Sequence, residues 1–439
     1  MGAGNVPVMV TGAMIASTGS LGHTSRILPR LNALIVLSFV LLLPSKILFN
    51  IPILVMALLG IAALWCGRDD VQYRTWVNRI MVAFALVWVP LLVSALDAAD
   101  ASRALKAVVL YPRFAFVSVF IVFALRNEVT RRWCTVGVFF ICAFWTLDAI
   151  FQYLAGTNVL GYPHENGQLR GIFYPKYRLG MSLVVFLPLL LDLIFRQRVV
   201  HIAWAFLIPL LLTVVALTLH RNAWLMSVLG LSLYGMFLLL VVGWRVRSKS
   251  AFLVALGLVF AIAFASTQPT FTNRLVPTIS AMFGSSDAFE EQLGQRPDIW
   301  RTAINMFRQN MLTGVGPRSF RAAYSGYANS SDYWLALEPI QVPAHPHQIG
   351  LEVAAETGLF GIAGFVGLHC LVFYWWHRSG TGGICAAPWL IGAAIIASPI
   401  NISKAFYGSV TASLVWWLLA MGLAVMWGTD ARARGADEH

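Results

Sequence analysis

An all-α, polytopic membrane protein with about twelve spanning helices and one large outer loop is the fold class the sequence predicts. Three observations predict it. Of the 439 residues, 59% are hydrophobic and only 11% charged, with mean hydropathy +0.73, too few charges to cover a water-soluble protein of that size. The apolar residues gather in runs of about 20, the length a helix needs to cross a bilayer. Every second connection between runs is rich in arginine, the pattern of a positive-inside bias.

Taken in order, the runs are Leu31–Ser45 and Phe49–Cys66, joined at "PSK", then Asn78–Leu96, Leu105–Leu125, Trp133–Leu154 and Tyr174–Phe195. A second set is Val199–Leu219, Ala223–Val242, Ala251–Ser266, Gln348–Trp376, Ala386–Ile402 and Ser409–Trp427. The first run lacks a signal-peptide cleavage pattern and precedes many others, so it reads as a retained helix. With Arg26 and Arg30 cytoplasmic, the loops carrying Arg68 and Arg74, Arg126, Arg131 and Arg132, Arg196 and Arg198, Arg245, Arg247 and Lys249, Arg378, and Arg432 and Arg434 all fall on that side. The outer side receives "DAADAS", Ala155–Phe173 and Thr267–His347. An even number of spans puts both termini in the cytoplasm. The chain thus divides into spans one to nine (1–266), an outer loop module with short helices (267–347), and the last three spans with a cytoplasmic tail (348–439). The net charge of +12 follows largely from the inside bias, so a lipid bilayer is the expected partner and nucleic acid is not.

The five cysteines, Cys66, Cys134, Cys142, Cys370 and Cys385, lie in or beside spans without CxxC or zinc spacing, so neither a disulfide framework nor a structural metal is expected. The outer side alone has enough non-membrane residues to build a site. In its main module "RPDIWRTAINMFRQN" spaces Trp300, Ile304 and Phe307 on one face of a short amphipathic helix, lying on the membrane or over the bundle. "TGVGPRSF" follows as a glycine-rich turn, and Pro343 and Pro346 stiffen an irregular approach to His347.

Four polar groups stand on this side: "GQLRGIFYPKYRLG" with Arg170, Lys176 and Arg178; Arg221 in "LTLHRNAWL"; Arg296 and Arg301 in "GQRPDIWR"; and His345, His347 and Gln348. Each has a plainer reading. Arginine at a span end commonly snorkels to lipid phosphate, which suits Arg103 and Lys106, whereas Arg296 lies well inside a loop. The histidines can cap the helix beginning near Gln348, with Pro346 leading into it, and Gly358 and Gly361 can serve close packing. Within the spans, Glu352 and Glu356 share a helix face and read either as a structural polar face or as a proton path. Arg113 and Asp148, also intramembrane, can pair with one another.

In order along the chain, "LDAIFQYLAGTNVLGYP", "LRGIFYP", "HRNAWL", "RPDIWRTAINMFRQNMLTGVGPRSF" and "HQIGLEVAAETGLFG" resemble the bacterial O-antigen ligases. These lie within the wider superfamily of O-antigen polymerases and protein O-oligosaccharyltransferases. The ligase signature of His, then Asn, Ser or Gln, nine residues, Gly, two residues and Gly, Thr or Tyr is matched by His347, Gln348, Gly358 and Gly361. The motifs cover about Trp145 to Gly361. The resemblance implies a GT-C-like fold in the bacterial inner membrane with a site facing the periplasm. It implies transfer of polysaccharide from undecaprenyl pyrophosphate to the lipid A–core in lipopolysaccharide biosynthesis. Arg221, Arg296 and His347 match the family's essential residues, while Asn222 stands where glycine is usual and Pro297 follows Arg296, where proline can begin a helix.

Guanidinium forks bind phosphate oxygens and keep their charge, so Arg221 and Arg296 suit a departing pyrophosphate. An imidazole, ordinarily titrating near pH 6.5, suits removal of an acceptor hydroxyl proton in one inverting displacement. Arg170, Lys176, Arg301, His345 and Gln348 are further substrate-binding candidates. No metal or other cofactor is required, because the outer loops contain no Asp-x-Asp and no carboxylate or thiol stands near His345 and His347 in sequence. The alternatives are a polymerase or protein O-oligosaccharyltransferase using the same carrier, or, in another class, a transporter running through Glu352, Glu356, Arg113 and Asp148. The long outer loop, its arginines and the lack of an inverted half-repeat weigh against transport.

Overall fold

The structure, a computed structural model, describes residues 18–165, 167–241, 244–282, 294–402 and 405–437. The remaining positions of the expected regions, 1–17, the 283–293 part of the outer module, Val242 at the end of its span and the last two residues, lie outside the described residues. Among the described residues the fold is all helix, with two isolated bridges and no strand. In chain order the helices are α1 (Thr18–Leu42), α2 (Asn50–Cys66), α3 (Val71–Ser94), α4 (Ala101–Leu110), α5 (Arg113–Ala124), α6 (Glu128–Ala155), α7 (Leu179–Phe195) and α8 (Leu207–Leu217). They continue as α9 (Arg221–Val241), α10 (Trp244–Ser266), α11 (Pro269–Met282), α12 (Arg296–Gln309), α13 (Phe320–Tyr327), α14 (Ile349–Arg378), α15 (Thr381–Ile396) and α16 (Ser409–Asp437).

Among the described residues six helical segments are long and apolar enough to cross a membrane, or seven if the bent pair α10–α11 is one span. Five shorter apolar helices, α1, α2, α7, α8 and α15, coincide with other runs read from the sequence. Helix α7 is hydrophobic all round and every one of its residues is buried, as a central helix requires. Helix α16 is its counterpart, with 89% of its apolar window buried. Helices α5 and α15 pack on α16, and α15 and α9 on α7.

Helix breaks explain most departures from simple runs. The fourth run divides into α4 and α5 at Tyr111 and Pro112, since proline offers no amide hydrogen there. Helix α10 stops at Ser266 and α11 turns away by 106°, so what the sequence presents as the beginning of a loop is a helix folded back. Helix α14 breaks at Gly358, whose φ of 60° and ψ of −154° belong to a region open essentially to glycine. There the amides of Leu359 and Phe360 donate to the carbonyls of Met311 and Leu312 at 2.8 and 3.2 Å. One turn earlier, Val315 and Gly316 donate to the carbonyls of Ala355 and Glu356 at 2.9 and 3.0 Å. A Cβ at Gly358 would overlap the carbonyl of Leu312. Gly358 is therefore a docking point for the outer module rather than an interhelical packing residue. Gly361 faces Thr357 of its own helix, and the close helix crossing falls instead at Gly364, against the carbonyl of Leu86 on α3. Gly358→Ala is expected to lose at least about 1–3 kcal/mol from backbone strain alone, read as a lower melting temperature of the purified protein.

Connections that touch one another are ones the sequence assigns to the same side. At one end Arg126 pairs with Asp70, Arg196 donates to the carbonyl of Ile384 at 3.2 Å, and Gly382 donates to Asp430 at 3.0 Å. At the other, Ala99 donates to Val315, Leu169 to Leu217, and Ile349 to Asn401. All the candidate site segments meet at this second end.

Candidate active site at one end of the bundle

The turn between α8 and α9 forces a left-handed residue, Leu219 at φ 52°, after which α9 begins on the carbonyl of His220. That geometry places Arg221 at the very start of α9. Helix α11 folds back on the same spot, because Phe271 packs on Trp224 with ring centroids 5.2 Å apart and joins Leu169, Leu217 and Leu219 in a small apolar cluster. Arg274, one turn along α11 from the Phe271 level, is thereby brought to the arginine site. It was not a candidate from sequence, where nothing marked 269–282 as a helix.

Helix α12 starts at Arg296 with Pro297 in its first turn, as the sequence allowed. Its buried stripe is Ile299, Thr302, Ala303 and Met306, which pack with Phe320, Tyr324 and Ala355. This corrects the expected face: Ile304 is exposed and Trp300 and Phe307 are only partly covered. Two apolar stripes compete on this helix, and the one that meets α13 and α14 wins. Trp300 instead uses its indole N–H, which donates to the carbonyl of Pro346 at 3.1 Å. Arg296 lies on the same helix one turn before Trp300, whose indole reaches the histidine loop.

The three arginines form one electrostatic group. Arg221 feels the like charges of Arg274 and Arg296, and Arg296 that of Arg274. Burial first, and the Arg274 charge second, hold the Arg296 guanidinium below the ordinary arginine value. It remains a cation. No carboxylate among the described residues pairs with Arg274 or Arg296. Such a cluster can receive an anion.

His347 sits in the left-handed region at φ 55°, immediately before the helix cap. Its amide donates to Nδ1 of His345 at 3.1 Å, and the two rings lie 4.0 Å apart by centroid. Accepting that bond requires an unprotonated Nδ1, so His345 fixes the backbone of its neighbour. Gln348 is the N-cap of α14, its side-chain oxygen accepting from the Leu351 amide, which engages the oxygen the sequence offered to substrate. A polar bridge then joins the histidine helix to the arginine helix. The amide of Ile349 donates to the carbonyl of Asn401 at 3.2 Å. Asn222 Nδ2 donates to Asn401 Oδ1 at 3.0 Å, and Ile402 donates back to Asn222 Oδ1 at 3.0 Å. Asn222, which departs from the usual glycine, is thus buried and serves as the link. Asn401 was invisible in sequence, being one polar residue near the end of the apolar run Ala386–Ile402.

The weaker candidates scatter. Arg170 is buried against Glu165 at 3.0 Å and over the Tyr177 ring at 4.1 Å, its charge already compensated. Lys176 is half-buried in the adjoining turn. Arg301 pairs with Asp298 at 2.8 Å on the exposed side of α12. Arg178 at the head of α7 is half-buried with Nε and Nη1 unpartnered among the described residues. The Gly180 that follows packs on Thr218 and Ala223 beside Arg221. Arg113 and Asp148 do not pair: Arg113 donates to Ser409 at 3.1 Å and Asp148 accepts from the Val159 amide at 3.0 Å. Glu352 accepts from the amides of Phe406 and Tyr407 at 2.8 and 3.3 Å, and Glu356 from that of Arg318 at 2.7 Å. These carboxylates hold backbone, which favours the structural polar face over a proton path.

The O-antigen ligase family model matches residues 205–366, a stretch that contains Arg221, Arg274, Arg296 and His347. Members of that family are glycosyltransferase-like enzymes acting on lipid-linked sugars. No curated protein matches the chain.

Proposed function

We propose, from the match of residues 205–366 to the O-antigen ligase family model, that this chain transfers polysaccharide from undecaprenyl pyrophosphate to a lipid A–core acceptor at the periplasmic face of the inner membrane. The observation carrying this reading is the convergence of Arg221, Arg274 and Arg296 on a site whose histidine loop is tied to two of their helices. The arginines hold the pyrophosphate of the donor. The acceptor hydroxyl attacks the anomeric carbon as the bond to the pyrophosphate oxygen breaks, and the configuration inverts. His347 takes the hydroxyl proton, and the pyrophosphate leaves on its lipid carrier. Charge builds on the leaving oxygen, where preformed cations act most strongly.

In this reading the five shorter apolar helices and α10 also cross the bilayer beside the six longer segments, giving about twelve spans, a GT-C-like bundle and both termini in the cytoplasm. The arginine-bearing end then lies outside. Transport loses its path once Glu352 and Glu356 are engaged by backbone amides.

Reconstitution of the purified protein with undecaprenyl-linked polysaccharide and lipid A–core tests the proposal. Lipopolysaccharide should form, and should persist in chelator. Carrier-linked chains that lengthen while the acceptor stays unmodified would move the assignment to polymerase. Asn401→Ala should remove the side chain that accepts from Asn222 Nδ2 and donates to the carbonyl of Ile396, loosening the segment whose backbone carbonyl holds the α14 start. We expect about tenfold slower transfer, equivalent to ~1.4 kcal/mol, with helical content by circular dichroism unchanged.

A further inference from the structure

A second basic site stands beside the histidine loop and is built from other elements. Its cavity measures about 450 Å³, within the ~300–1,000 Å³ typical of small-molecule sites. Arg103 and Lys106 of α4, Arg113 of α5, and Arg318 and Arg321 around the start of α13 line it, together with Ala344 from the histidine loop. No carboxylate is among its described lining residues; Asp100, paired to Arg103 at 3.2 Å, is the acid nearest in sequence. The transfer step derived above uses none of these cations.

Two features fix this geometry. Arg113 lies over the Phe114 ring at 4.6 Å, donates through Nη2 to Ser409 at 3.1 Å, and keeps an unpartnered Nε among the described residues. Behind the cavity, Glu352 and Glu356 brace two of its walls. One accepts the amides of Phe406 and Tyr407, next to Ser409; the other accepts that of Arg318. The buried acidic pair thus holds a ring of cations in place without entering it.

We propose that this cavity binds a phosphate group of the acceptor glycolipid. Donor and acceptor phosphates are then held by separate basic sites that both touch the histidine loop. Guanidinium forks match phosphate oxygens bidentately, and five cations without a lining acid exceed what neutral sugar hydroxyls require. The inference rests on the glycosyl-transfer reading.

The test uses the full chain in phosphatidylcholine nanodiscs, with acceptor glycolipid either intact or stripped of phosphate by phosphatase. Lys106→Gln with Arg321→Gln alters two exposed cations and leaves packing alone; Arg113→Gln is the second variant. KM for intact acceptor should rise about tenfold or more in both variants, while KM for stripped acceptor and for donor stays within about twofold. An equal rise with both acceptors, or a rise in donor KM, overturns the proposal. So does displacement of intact acceptor by added phosphatidylglycerol, which would mark a site for any lipid phosphate. If no acceptor supports transfer, the transfer reading fails by itself. Equilibrium binding of fluorescent intact glycolipid then decides the cavity: weaker binding by the variants supports it, and unchanged binding overturns it.

Discussion

Transfer by the His347→Ala protein is expected to be about 10²–10⁴-fold slower than wild type, with donor KM nearly unchanged. A sugar hydroxyl is a poor nucleophile until its proton has somewhere to go, and alanine offers no acceptor. The structure makes this residue hard to replace from nearby. His347 adopts a left-handed backbone, His345 Nδ1 holds its amide, and the Trp300 indole pins the carbonyl between the two histidines. His345 is occupied in that bond, so it is a positioning residue and a poor substitute base. His345→Ala should lower kcat less, because it loosens the loop without removing the proton acceptor. Full turnover by His347→Ala would leave the arginine site without its base and end this assignment.

The helical framework was legible because span length and arginine placement are direct consequences of a lipid solvent. Each apolar run has a helix in the structure. What escaped was every feature set by tertiary contact. The fold-back of α11 depends on Phe271 meeting Trp224, residues far apart in the chain, and without it Arg274 is one more loop arginine. The face of α12 was misjudged because Ile304 and Phe307 make as good a stripe as Ile299 and Met306 until α14 is known to lie beneath. The sequence left the polar face and the proton path of Glu352 and Glu356 both open, since their partners are amides, which every segment carries. The residues of the histidine motif fared unevenly. His347 stands half-buried in the loop just before α14, whereas Gln348 and Gly358 prove to set the ends of one helical segment, the first as its cap and the second as its break.

Arg296→Ala and Arg221→Ala should each reduce transfer by about 10²–10³-fold, the scale for losing one preorganised group at developing charge. The loss should fall mainly on kcat, because the pyrophosphate gains charge as it leaves. Lysine at position 296 should restore only part of the rate: it keeps the charge but not the fork that grips two oxygens at once. Arg274→Ala should lie in the same direction, since its charge acts on both of the others. The double variant Arg221→Ala with Arg296→Ala should lose less than the product of the single effects, because the three cations serve one anion and couple. Arg301, in the same helix but paired with Asp298 on its exposed side, supplies the control. Arg301→Ala should stay within about twofold, as an exposed ion pair contributes ~0–1 kcal/mol. Were Arg301→Ala to fall as far as Arg296→Ala, the losses would report damage to α12 rather than a missing phosphate contact. A large loss confined to the three converging arginines has no such explanation, since burial and mutual repulsion already make Arg296 a costly cation to keep without an anion to hold.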